Sequence, residues 1–320
     1  MRMAVEGMGI VSAVGNGPQD LAQAARHILR EESNTIAFSK IDTSNLAQHA
    51  SSRALRRVDH FTRMALLAAY SALEDAGLDS AELEQTGIIL ATGYGPVKLT
   101  FDFLDSIIDF GPEMASPQAF AHSVHNIPAA TIALMMSLRG PCFSICQLDT
   151  AVTAALLTAQ TWLVEKRVTR VLLGAVDEHT TLLEINAHRI AENLFAERSG
   201  GRRRLVPGEG AVFFCLHADP ERARHGFIKD TSLSKTCLDA PIFFSGSASP
   251  AQRNTLPPMH DFSPLYGNMP IGMAFDAAVA LLGVQGQLRP VMDECPAVHC
   301  LSRNRFGMTG SILVTSGECT

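Results

Sequence analysis

Gly140-Pro141-Cys142-Phe143-Ser144-Ile145-Cys146-Gln147-Leu148-Asp149 leads straight into Thr150-Ala151-Val152-Thr153-Ala154-Ala155-Leu156-Leu157-Thr158-Ala159-Gln160-Thr161-Trp162-Leu163-Val164. The short apolar run 142–145, opened by Gly-Pro, reads as a strand. From 150 to 164 no side chain is charged, and a helix apolar on every side must be buried. Working outward, 127–138 reads as another apolar helix, and 87–92 as a buried strand ending in Gly93 and Gly95. The stretch 62–76 has helical periodicity and stops at Gly77, a usual C-terminal glycine. Residues 3–11, 168–174 and 211–216 read as further strands, with 198–210 a polar, glycine-rich loop. Beyond Pro241 the pattern returns more weakly, with strands at 242–245 and 311–315 and a helix at 271–282. Apolar runs alternating with helical patterns point to an α/β protein with largely buried sheets. Two similar halves are expected, 1–217 and a shorter 218–320.

The chain has 320 residues, 47% of them hydrophobic, enough for a substantial core. A net charge of -6 argues against nucleic acid as a partner, since phosphate contacts need a basic excess. The basic runs Arg56-Arg57 and Arg202-Arg203-Arg204 read as solvated loops, or as a dock for an acidic partner. Seven cysteines lie scattered without a CxxC pair or a Cys/His cluster, so reduced, mostly buried thiols and no metal site are expected. No leader-like segment and no membrane-spanning stretch stand out, and the expected location is cytoplasmic.

Arg56-Arg57-Val58-Asp59-His60-Phe61, then Ala65-Leu66-Leu67-Ala68-Ala69 and Ala72-Leu73-Glu74-Asp75-Ala76-Gly77-Leu78, resembles the N-terminal signature of elongating β-ketoacyl-acyl-carrier-protein synthases. Ser116-Pro117 with Asn126, Leu138-Arg139-Gly140-Pro141, Gly208-Glu209-Gly210-Ala211 and Phe306-Gly307 follow in that family's order. The resemblance implies a thiolase-like, five-layered αβαβα fold of two similar halves, here with the second abbreviated. It also implies a dimer whose halves complete each other's substrate tunnels.

Condensation in that family needs a thiolate to carry the acyl chain and two imidazoles for decarboxylating the extender. A cysteine at a buried helix N-terminus suits the first task, because the helix dipole lowers its pKa and the backbone N–H groups form an oxyanion hole. Counting from Gly140-Pro141, that position holds Asp149, a far weaker acyl carrier and a natural helix N-cap. The first histidine's position falls on Ser245 and the second's on Asn268, with Ser263 where a lysine is expected. Neither serine nor asparagine titrates as imidazole does. Cys142 and Cys146 are the candidate displaced nucleophiles, on a strand whose alternation would bury them. His122, His125 and His260 read as packing or surface residues.

A synthase without its nucleophile resembles the chain-length factor of type II polyketide synthases. That resemblance implies a heterodimer with a catalytic ketosynthase, service to an acyl carrier protein, no cofactor and little activity alone. Ala119, Phe120 and Asn126 would then lie at the interface and tunnel, and Arg202, Arg203 and Arg204 would dock the carrier. Many such factors carry glutamine where Asp149 stands, whereas Gln147 is two residues early, as in a divergent, aryl-polyene-like branch. An acyltransferase with a displaced nucleophile and a carrier-binding scaffold are the alternatives.

Overall fold

The computed structural model describes residues 1–30, 40–186, 189, 206–233, 242–245, 259–292, 295–304 and 308–317. Its strands are β1 Met3–Ser12, β2 Gly15–Asn16, β3 Thr86–Thr92, β4 Cys142–Cys146, β5 Arg170–Asp177, β6 Gly210–His217, β7 Phe227–Leu233, β8 Ile242–Ser245, β9 Met259–His260, β10 Ala297–Arg303 and β11 Thr309–Thr315. Its α-helices are α1 Pro18–Arg30, α2 Ser52–Leu55, α3 His60–Ala76, α4 Ser80–Glu84, α5 Val97–Phe110, α6 Pro117–Ser123, α7 Ile127–Met135, α8 Ala151–Val164, α9 Ser263–Tyr266 and α10 Gly272–Val284.

The long strands join in the order β4-β3-β5-β6-β1-β7-β11-β10-β8-β9. This path divides where β1 meets β7 through only two residue pairs, Met3–Ile228 and Ala4–Phe227. On one side β4, β3 and β5 are parallel, while β6 and β1 follow antiparallel. On the other side β9, β8 and β10 are parallel, with β11 and β7 antiparallel. The chain therefore makes the same five-stranded pattern twice, which is the repeat that the weak recurrence beyond Pro241 suggests.

Between the two sheets lies a helical layer. Helix α8 packs on β3, β5, β7 and β11, and α10 packs on β8, β10, β11 and β6. All thirteen residues of α10 are buried, and Ala151, Val152, Ala155, Leu156, Ala159 and Leu163 of α8 join the same core. The charge-free sequence of α8 is explained by this position between sheets. Helices α3 and α7 cover the outer face of the first sheet. The described residues thus build four layers: helices, sheet, helices, sheet.

Helix α3 begins where Asp59 Oδ1 accepts the Thr62 N–H at 2.9 Å, and ends at Gly77 with φ 68°. Helix α7 stops at Met135, three residues short of the expected end, because Ser137 turns to φ 57° ahead of Gly140-Pro141. The expectation for β4 fails in a more instructive way. Among the described residues it is an edge strand, paired only with β3, and both Cys142 and Cys146 are exposed. Alternation buries a side chain only where the face it points to is covered. Cys215 and Cys300 are buried as expected, and Cys295 is partly so.

Candidate functional site

After β4 the chain turns sharply. Gln147 N–H donates to Thr92 O at 3.2 Å and Leu148 N–H to Gly93 O at 3.3 Å, with Leu148 held at φ 43°. A single 3-10 turn, Leu148–Thr150, then delivers the chain into α8. Asp149 sits inside that turn, so it is not the N-cap of α8. Thr150 holds the cap position, with no side-chain cap bond, and its hydroxyl donates to Gln147 O at 3.1 Å. The turn packs against β10 and β11 of the second half. Strand β8 runs parallel to β10 with Ser245 opposite Ser302, which puts the end of β8 at the same edge.

A buried carboxylate ties the neighbouring loop down. Asp177, at the end of β5, accepts from Thr92 Oγ1 at 2.7 Å, Gly93 N at 3.0 Å and Tyr94 N at 3.3 Å, and also from the Ile271 N–H just before α10. Complete burial pushes it up to about 6 despite these donors. Gly93 has no room for a side chain, because a Cβ there would stand 2.3 Å from Pro270 Cβ. The two halves are therefore pinned together next to Asp149.

The other sequence candidates scatter. Asn268 accepts the Val206 N–H at 3.0 Å and returns its own backbone N–H to Val206 O at 2.7 Å, so it fastens the loop before β6. Ser263 opens α9, its N–H bonded to Asp261 Oδ1 at 2.9 Å. His260 is a packing residue, set edge-on to Phe243 with centroids 5.9 Å apart, and burial lowers its pKa. The ring of His125 occupies the space beside Gly95, and His122 lies in the last turn of α6. Cys146 Sγ donates to Gly93 O at 3.4 Å. Crowding by surrounding protein and the charge of Asp177 raise its pKa, the reverse of an activated thiol. Crowding raises Cys142 as well. Arg202, Arg203 and Arg204 lie outside the described residues.

Ser116 caps α6 by accepting the Ala119 N–H at 3.2 Å, which places Ala119 and Phe120 in its first turns; Phe120 packs on Phe103 with centroids 5.6 Å apart. Asn126 caps α7 without a side-chain bond. Around them runs an apolar surface. Ile108 is 78% exposed, Phe110 70%, Leu134 83% and Phe143 50%, with Phe101, Leu104, Met114 and Phe120 also exposed. These residues belong to α5, α6, α7, β4 and the turn after α5, which pack side by side and end at the unpaired edge of β4.

Sequence reasoning missed a cavity of about 560 Å³ bordered by Asp59, His60, Glu178, His179 and Glu209 together with the start of α5. Glu209 bonds His60 Nε2 at 2.9 Å and accepts the N–H groups of Ile41 at 2.8 Å and His179 at 3.2 Å. Burial works against its charge, but these partners hold it below the usual carboxylate range. Among the described residues Glu178 has only the Lys98 N–H, at 3.3 Å, and burial with the charge of Asp59 pushes it up to about 7. Asp59-His60 and Glu209 stood in the family-like blocks, and Glu178-His179 follows directly after an apolar strand, but nothing in the sequence brought them together.

Residues 25–219, more than half the chain, match the family described as Beta-ketoacyl synthase, N-terminal domain. The chain belongs to the β-ketoacyl synthase family. A 3-oxoacyl-[acyl-carrier-protein] synthase 2 of Vibrio cholerae is 29% identical over 170 residues, covering 48% of this chain and 40% of that enzyme. The Synechocystis enzyme of the same name is 28% identical over 156 residues, covering 44% and 36%. The matched stretch is thus well under half of each relative's length. Among solved structures, a type II polyketide ketosynthase in complex with its acyl-carrier protein and bound to the hexaketide superposes with a TM-score of 0.79 at 15% identity, covering 98% of this chain and 99% of that one. The ishigamide ketosynthase/chain length factor gives 0.74 at 16%, covering 99% and 100%. The two likenesses extend the ketosynthase fold over essentially the whole chain. Among the described residues no helix is long and apolar enough to cross a membrane.

Proposed function

We propose that this chain is the non-condensing member of a ketosynthase heterodimer, a chain-length-factor-like subunit that pairs with an active synthase and walls its acyl tunnel. The observation that carries this reading is Asp149 on the turn into α8, where a synthase of this family needs a thiol. A carboxylate there would form a mixed anhydride, and the positive end of α8 favours it as an unreactive anion. Neither Ser245 nor Asn268 can replace imidazole, and Asn268 is engaged with Val206. The exposed apolar side chains beside the open edge of β4 supply a surface that calls for a protein partner.

The partner is an intact ketosynthase, and the acyl carrier protein serves the pair. Co-expression with such a ketosynthase, size-exclusion chromatography and mass spectrometry after exposure to an acyl-carrier thioester test the reading. A one-to-one complex acylated on the partner alone is expected, and Ile108→Asp should break the complex while leaving the fold intact. Acylation of this chain, or indifference to the ketosynthase, would overturn the proposal.

A further inference from the structure

The cavity beside Glu178 lies apart from the turn carrying Asp149 and is walled partly by carbon. Val97, Leu99, Phe101 and Leu182 contribute apolar surface to its volume of about 560 Å³, within the range of small-molecule sites. Glu178 also borders it and is 6% exposed. One of its oxygens takes the Lys98 N–H at 3.3 Å. Its second oxygen takes no hydrogen bond among the described residues.

The nearby charges offset its burial only in part: His60 draws its pKa down, while Asp59 and Glu209 push it up. On α5, the Lys98 ammonium is turned to Asp102. On α3, His60 is bonded to Glu209, and Asp59 is a carboxylate that repels Glu178. Beyond β5, the His179 ring faces Glu184 at 3.5 Å. Lys40 stands exposed at the rim. A buried carboxyl with a free oxygen and a carboxylate neighbour lacks a cation. Among the described residues no three His, Cys, Asp or Glu side chains are grouped to hold a metal ion.

We infer that this cavity binds an organic ammonium ion with an apolar body, its N–H groups donating to Glu178 and its hydrocarbon lying against Val97, Leu99 and Phe101. The charge-assisted bond gives orientation. The cavity shares Phe101 with the apolar surface assigned to pairing, and titration of this chain by itself tests the site without the partner.

Calorimetric titration of the full chain with 2-phenylethylamine, with 2-phenylethanol as the uncharged counterpart, provides the test. The amine should saturate a single site at pH 8 and bind about tenfold more weakly at pH 6, where a proton competes for Glu178. Glu178→Gln, which keeps an acceptor for Lys98 N–H, should weaken binding at pH 8 by about tenfold or more. Absence of saturation, equal binding of the alcohol, or unchanged affinity in Glu178→Gln would overturn the inference. Because the pH comparison uses the unmodified chain, a folding defect in the variant leaves the test intact.

Discussion

Glu178→Gln should stabilise the protein at pH 8 and flatten its stability between pH 6 and 8. The carboxyl titrates near 4.5 when unfolded and at about 7 when folded. A raised carboxyl pKa penalises the folded state above it, and the penalty disappears as pH falls toward the unfolded value. With these two values the penalty is about 3 kcal/mol at pH 8, about 2 kcal/mol at pH 6 and under about 1 kcal/mol at pH 5. Asp177, raised to about 6, acts in the same direction. Its own penalty changes by under about half a kcal/mol between pH 8 and 6, so that window reports mainly on Glu178. Gln keeps the acceptor for Lys98 N–H but adds an NH₂ group that only water in the cavity can satisfy. The net gain at pH 8 is therefore about 2 kcal/mol rather than the full penalty. Urea unfolding at pH 6, 7 and 8, read as the difference between the two proteins, measures it. A variant less stable than the unmodified protein at pH 8, with the same pH slope, would refute the reasoning.

Asp149→Cys should accept an acyl group from a carrier thioester by intact mass yet release no carbon dioxide from a malonyl extender, since the imidazoles remain absent; a condensation product would contradict the role given to Ser245 and Asn268. In the co-expressed pair, Ala119→Phe should shorten the products, and unchanged chain lengths by mass spectrometry would remove Ala119 from the tunnel wall. Gly93→Ala should cost about 2 kcal/mol in chemical denaturation, because its Cβ would meet Pro270 at 2.3 Å with Asp177 holding the loop in place; a neutral effect would mean that the two halves are less tightly joined there.

Most of the fold could be read because its signals are local. The stop at Gly77 and the charge-free run into Val164 each state a rule within one element, and each agrees with the structure, although helix α3 begins at His60, two residues before the expected start. The repeat was legible only as a recurrence of apolar runs; its strand order depends on pairings such as Ser302 with Ser245 that no short window contains. Strand β4 was misjudged because burial at a sheet edge depends on what lies beyond it, and the side chains of β4 do not encode that. The position of Asp149 came from counting, but its exclusion from the cap depends on Leu148 adopting positive φ, a conformation leucine seldom takes. The Glu178 cavity was invisible for a simpler reason: the His60–Glu209 bond beside it joins residues 149 apart in sequence.

The two ends of the strand path are unequal. Among the described residues, one end is β4, five residues long and bonded on one side to β3, and the other is the two-residue β9. A two-residue strand is too short a template for another chain, whereas five residues flanked by apolar helices are ample. Among the described residues, edge-to-edge strand addition is therefore favoured at one end, that of β4. Two such ends would consume each other, so addition through β4 would close a pair rather than extend a filament.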